Sequence, residues 1–228
     1  MCGRFDCHSP ISDIARTFGA FQTDVQYEPN YNIAPSQQVL IINNMGNKQL
    51  LSCRWGFVPS WAKDLSAGNK MINARAETVA SKSAFRSAFM NHRCIVIADG
   101  FYEWLREGKK KVPVYIRLKS GKPFGLAGLY NAWVSDNGEA VCTCTVITTD
   151  ANDLLSGIHD RMPVIIPSDK EDLWLDPENE DQQGLQALLK PYPSEEIEYY
   201  EVSSKVNCVV NNSPENIRPV RSGEAMDH

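Results

Sequence analysis

The stretch that most restricts the fold is Cys94-Ile95-Val96-Ile97-Ala98. It is too short for an ordinary helix and too uniformly apolar to alternate between core and water. Such a run suits a strand covered on both faces. Asp99-Gly100 breaks it, and Phe101-Tyr102-Glu103-Trp104-Leu105 resumes it. Beyond it, polar tips at Glu107–Lys111 and Lys119–Lys122 bracket a strand at Val112–Leu118. Phe124–Val134 is the next strand, and Asp136-Asn137-Gly138 turns the chain into another at Val141–Thr148. Nearer the start, Gln38–Asn43 and Lys48–Trp55 flank the turn Asn44–Asn47.

The helices fitted around these strands are short. Ser9 as cap, Pro10 in the first turn and Ile11, Ile14, Ala15 and Phe18 predict one helix. Others are expected at Ser83–Asn91, Asp150–Ser156, Ser168–Leu175 and Gln182–Leu189, with a late strand at Glu198–Val202. The tail from Ser213 reads as loosely structured. Composition does not shift along the chain, so the expected architecture is a single α+β domain. Its core is a curved, barrel-like, largely antiparallel sheet with short peripheral helices.

No apolar run is long enough to span a bilayer. The first residues lack a signal-peptide layout, so the expected location is the cytoplasm, with nucleoid association in a bacterium. Seven cysteines, an odd and scattered set, read as reduced thiols. Cys142 and Cys144 alternate along one strand, and no paired Cys-x-x-Cys motif exists, so no metal and no cofactor are expected. The net charge of −5 argues against nucleic-acid binding by bulk charge but leaves room for a local basic groove.

Several polar residues sit among apolar ones. Glu103, between Tyr102 and Trp104, either meets a cation, has its pKa raised by burial, or alternates out to solvent. His159 precedes Asp160-Arg161 in a loop and is either a proton shuttle or a structural histidine. Asn73 and Arg75 offer an amide and a guanidinium, or a cap and a surface charge. Trp55, Phe57, Trp61, Tyr102 and Trp104 are either core or, with Arg4, Arg54, Arg75, Lys82, Arg86 and Arg161, a stacking platform for single-stranded nucleic acid.

Cys2 follows Met1 directly. Removal of Met1 leaves a cysteine whose α-amine (pKa roughly 7.7–8.0) and thiol (about 8.5) lie on adjacent carbons. A 1,2-aminothiol condenses with an aldehyde to an imine and closes a five-membered thiazolidine. No internal cysteine can do this, although position alone does not separate such a role from an ordinary second residue.

The motifs together carry a resemblance. They are Met1-Cys2-Gly3-Arg4-Phe5, Tyr31-Asn32-Ile33-Ala34-Pro35, Trp55-Gly56-Phe57-Val58-Pro59-Ser60-Trp61 and Asn73-Ala74-Arg75-Ala76-Glu77-Thr78. Ala98-Asp99-Gly100-Phe101-Tyr102-Glu103-Trp104, Ile158-His159-Asp160-Arg161-Met162-Pro163 and Val202-Ser203-Ser204-Lys205-Val206-Asn207 complete the set. In this order they resemble the SOS-response-associated peptidase (SRAP) family along nearly the whole chain, with a domain over 1–212 and a tail over 213–228. The resemblance implies a monomer that captures abasic sites in single-stranded DNA covalently through Cys2, with no membrane involvement. It implies that Asn73 orients Cys2 and the sugar remnant, and that Glu103 and His159 handle protons. It places Arg4, Arg75 and Arg161 on phosphates, Pro35 and Trp61 near bases, and Thr148 near the DNA. Family members can carry an arginine where this chain has Ser83, and Lys82 or Arg86 is the expected substitute. Two alternatives stay open: a thiol peptidase acting on its own Met1–Cys2 bond, and a non-covalent single-strand binder.

Overall fold

The computed structural model describes residues 2–21 and 25–220. In chain order its strands begin with β1 (Phe5–Cys7), β2 (Asn30–Ile33), β3 (Gln38–Asn44), β4 (Lys48–Trp55), β5 (Asn73–Arg75) and β6 (Arg93–Ala98). They continue with β7 (Gly100–Glu107), β8 (Lys110–Leu118), β9 (Phe124–Val134), β10 (Ala140–Asp150), β11 (Arg161–Pro163), β12 (Ile165–Ile166) and β13 (Ile197–Glu201). Four short α-helices lie among them: α1 (Ile11–Phe18), α2 (Arg86–Asn91), α3 (Glu171–Leu175) and α4 (Gln182–Ala187).

Strands β4, β3, β6, β9 and β10 close into a five-stranded barrel, because β10 pairs with β9 on one edge and with β4 on the other. Only the β10–β4 seam of this ring is parallel. The expected α+β barrel is therefore present. Every residue of β6 is buried, as its unbroken apolar run predicts. One closed sheet does not hold all the strands, however. A second, antiparallel sheet runs β13-β8-β7-β1-β2. Alternation divides β7 between two cores. Phe101 joins the main core, while Tyr102 packs with Tyr115, Val202 and Val206 in a smaller cluster behind the sheet. Gly100 makes room for this arrangement: a Cβ there would collide with the Tyr115 ring.

Four local expectations are corrected. Ser9 does not cap α1; its hydroxyl donates to Asp99, and Pro10 takes the cap position. No helix forms over Asp150–Ser156. Strand β10 continues through Asp150, and the buried Asn152 holds a turn by accepting the Leu155 N–H at 3.0 Å and donating to the Tyr192 carbonyl at 2.7 Å. The start of the tail is docked. Ser213 caps a 3₁₀ turn at Pro214–Ile217, Asn216 is buried, and the Val220 N–H donates to the Glu201 carbonyl at 3.0 Å. Residues 221–228 of that tail lie outside the described residues. Finally, the cysteines are not all reduced. Cys53 on β4 and Cys142 on β10 are joined in a disulfide, their Cα atoms 4.7 Å apart. The two lie 89 residues apart in sequence, and only closure of the barrel brings them together.

Candidate active site and nucleic-acid interface

The N-terminal motif forms an interior strand of the second sheet. Strand β1 lies between β2 and β7, with Phe5 opposite Phe101. The Tyr102 N–H donates to the Arg4 carbonyl at 2.9 Å, extending the antiparallel register back past Phe5. Two further residues of that register bring Glu103 alongside Gly3 and Cys2. Cys2 is fully buried. From the barrel side, Asn73 Nδ2 donates to the Cys2 carbonyl at 2.8 Å. Asn73 is held in turn by β5, which pairs in parallel with β10, Val146 opposite Asn73 and Thr148 opposite Arg75. Ala74 turns into the core, so Asn73 and Arg75 share the opposite face.

The electrostatics follow from burial. Glu103 shares its face of β7 with the core residue Phe101 and is 6% exposed. Burial raises its pKa to about 7, against the opposing pull of the positive chain terminus. Of the three readings open for this residue, burial excludes the one in which it alternates out to solvent. Burial, with the Glu103 charge adding to it, pushes the Cys2 thiol up to about 12. The pKa of His159 is lowered, first by burial and then by the positive terminus. The same terminal charge therefore acts on Cys2, Glu103 and His159. His159 Nδ1 accepts the Arg161 N–H at 2.9 Å and also lies 2.7 Å from Asp160 Oδ1. One ring nitrogen cannot serve both at once. Neutral imidazole accepts from Arg161; imidazolium donates to Asp160. The lowered pKa favours the neutral form, which leaves the proton on Nε2.

The cations fall into two groups. Arg4 is tied inward: its guanidinium donates to Asn32 Oδ1 at 2.7 Å and to the Val206 carbonyl at 2.8 Å, and it lies 5.8 Å from the centre of the Trp104 ring. Arg161 pairs with Glu77 at 2.6 Å and Asp150 at 2.7 Å and donates to the Thr148 carbonyl at 2.6 Å. Arg75, Lys82 and Arg86 are exposed and, among the described residues, carry no ion pair. Lys82 stands over the Phe85 ring at 5.6 Å. Ser83 is exposed beside them. Trp61 is 67% exposed and has no place in the core, whereas Trp55 and Phe57 are buried. Pro35 is half-buried, next to Ser36 with its left-handed φ of 74°. Thr148 is wholly buried, so its side chain supports β5 by donating to the Ala74 carbonyl at 3.5 Å.

Two residues were missed in the sequence. Asn32 is a buried hub: it accepts from Arg4 and donates to the carbonyls of Val206, Cys208 and Asn211, locking the closing motif onto the N-terminal strand. Glu77 holds the Arg161 guanidinium through two oxygens. Both lie within quoted motifs, but sequence gives no sign of their partners 28 to 179 residues away.

Comparison with known proteins agrees with this architecture. The family model "SOS response associated peptidase (SRAP)" matches residues 1–209. Abasic site processing protein YoqW of Bacillus subtilis is 50% identical over 219 residues, covering 94% of this chain and 98% of YoqW. Abasic site processing protein HMCES of Gallus gallus is 30% identical over 267 residues, covering 98% of this chain and 79% of HMCES. A crystal structure of a protein from Bacteroides thetaiotaomicron superposes with a TM-score of 0.89 at 29% identity, covering 96% of this chain and all of the other. The chain belongs to the SRAP family.

Proposed function

We propose that the protein processes abasic sites in DNA by capturing them covalently on Cys2. The observation that carries this reading is the hydrogen bond from Asn73 to the Cys2 carbonyl, beside a buried carboxyl with a pKa of about 7. A carboxyl poised near neutrality both gives and takes protons at physiological pH. The names of the relatives, abasic site processing proteins, supply the lesion.

Once Met1 is removed, the Cys2 α-amine attacks the C1′ aldehyde of the ring-opened sugar. The carbinolamine loses water, with Glu103 donating the proton to the departing hydroxyl. The thiol then adds across the C=N bond. Its proton leaves to the Glu103 carboxylate and the ring nitrogen gains one, giving a thiazolidine with net loss of one water. A thiol held near pKa 12 reacts only with a base beside it, and Glu103 is that base. Neutral His159, with its proton on Nε2, donates to the sugar ring oxygen during ring opening. Arg75, Lys82 and Arg86 meet phosphates, and exposed Trp61 stacks on an unpaired base. Arg4 and Arg161 act on DNA through the strands they brace.

The test is a denaturant-resistant band with single-stranded abasic oligonucleotide, compared across four proteins. The processed protein crosslinks. Cys2→Ala forms only an imine that borohydride traps, and Cys2→Ser does the same. A Met1-retaining protein, whose Cys2 nitrogen is an amide, gives neither product. Equal crosslinking by the Met1-retaining protein defeats the aminothiol mechanism.

A further inference from the structure

A second cavity lies away from this site, at the other end of β1 and β8. Ser9, which lines it, sits past the end of β1 remote from Cys2. Leu118 lies four residues along β8 from Val114, the partner of Glu103. The cleft holds about 670 Å³, a usual size for a small-ligand site. Its walls include the apolar Leu118, Phe124 and Ile165, with Glu171 and Tyr192 among the polar groups.

Glu171 is 7% exposed, and among the described residues no hydrogen bond or ion pair reaches its carboxyl group. Lys48, the cation acting on it, is already committed to Asp172 at 2.5 Å and to the Phe18 carbonyl at 3.0 Å. The surroundings are otherwise acidic. Asp172 acts on Glu171 directly, and the Tyr192 hydroxyl sits in the combined field of Glu196, Asp169 and Glu171. At the rim Arg16 is neutralised by Asp13 at 2.7 Å, leaving exposed Lys122 as the one unpaired cation among the lining residues. A carboxylate with little exposed surface and no hydrogen bond from the described residues, at the wall of a part-apolar cleft with acidic neighbours, is complementary to a donor cation on an apolar stem.

We propose that this cleft binds an alkylammonium or guanidinium group through Glu171, its aliphatic stem lying against Phe124 and Ile165. The chemistry is shared by free polyamines and by lysine or arginine side chains of a partner chain. Binding is linked to a proton. With burial raising it to about 7, the Glu171 carboxyl is half protonated at neutrality, and pairing with the cation expels that proton.

The test titrates full-length protein with n-butylammonium, monitoring the Ile165 and Ile166 methyl resonances, with butyrate and butanol as controls. The expected result is saturable binding of the ammonium alone, about tenfold weaker at pH 6 than at pH 8, as follows from a carboxyl with a pKa near 7. Glu171→Gln keeps the shape and loses that binding, whereas abasic-site crosslinking is unchanged. Tyr192→Phe, which preserves the carboxyl, weakens it less. Spermidine and Nα-acetyl-lysine methylamide are compared next, and the tighter of the two identifies the source of the cation. Butanol binding as well as butylammonium, pH-independent affinity, or undiminished binding by Glu171→Gln overturns the proposal.

Discussion

Holding Glu103 in its buried position costs the fold stability, and the cost can be measured without DNA. An unfolded glutamate titrates near 4.5, whereas in the folded protein burial raises this carboxyl to about 7. A raised acid binds its proton more tightly in the folded state. Its contribution is therefore fully present below about pH 4.5, falls as pH climbs towards 7, and is flat above that. The 2.5-unit difference between those values, at 1.36 kcal/mol per unit, corresponds to roughly 3 kcal/mol. Asp6, raised by burial to about 6, and Glu171 lose stability over overlapping ranges, so wild-type data alone cannot isolate Glu103. The informative quantity is the difference between wild type and Glu103→Gln in urea unfolding at pH 5, 6, 7 and 8. Glutamine fills the same space without titrating. The variant gains on wild type by about 2.5 kcal/mol between pH 5 and pH 8. On abasic DNA the same variant crosslinks slowly while its affinity is retained. A difference that stays constant with pH would falsify the placement of this carboxyl and with it the proton-transfer role.

Other substitutions separate the remaining roles. Asn73→Ala removes the hydrogen bond to the Cys2 carbonyl, so crosslinking slows while stability drops by only about 1 kcal/mol. Rate and urea midpoint measured together check this. Arg75→Ala weakens single-strand binding across sequences and lowers the salt-dependence slope by about one, read from binding isotherms at several salt concentrations. Arg161→Ala strands Glu77, Asp150 and the Thr148 carbonyl, so its principal effect is a fall in melting temperature, corresponding to about 2–3 kcal/mol. Cys53→Ser opens the link between β4 and β10 and costs about 2–4 kcal/mol under non-reducing conditions, a difference abolished by dithiothreitol.

Much of the strand plan was legible because each strand carries local punctuation. Phe124–Val134 and Lys48–Trp55 match their expected bounds, and the fully apolar Cys94–Ala98 does lie in a strand buried throughout. Pairing between distant strands was not legible. Nothing near Cys53 points to Cys142, and nothing near Phe5 shows that β1 will lie inside a second sheet. At the site, the residue types stood out, but the state of Glu103 depends on which face of β7 meets the barrel. The partners of the arginines were not legible either. Sequence makes Arg4, Arg75 and Arg161 alike, yet Asn32 and Glu77 absorb two of them into the fold.

The interior place of β1 also sets a timetable during synthesis. Strand β1 is synthesised before both of its partners, Asn30–Ile33 on one side and Gly100–Phe101 on the other. At roughly 5–20 residues per second, the hundred-residue gap takes about 5–20 s to translate. Throughout that interval β1 can pair with β2 but not with β7. Once β7 pairs, Cys2 has no exposed surface. The burial of Cys2 is thus completed by the arrival of β7, about a hundred residues later in the chain.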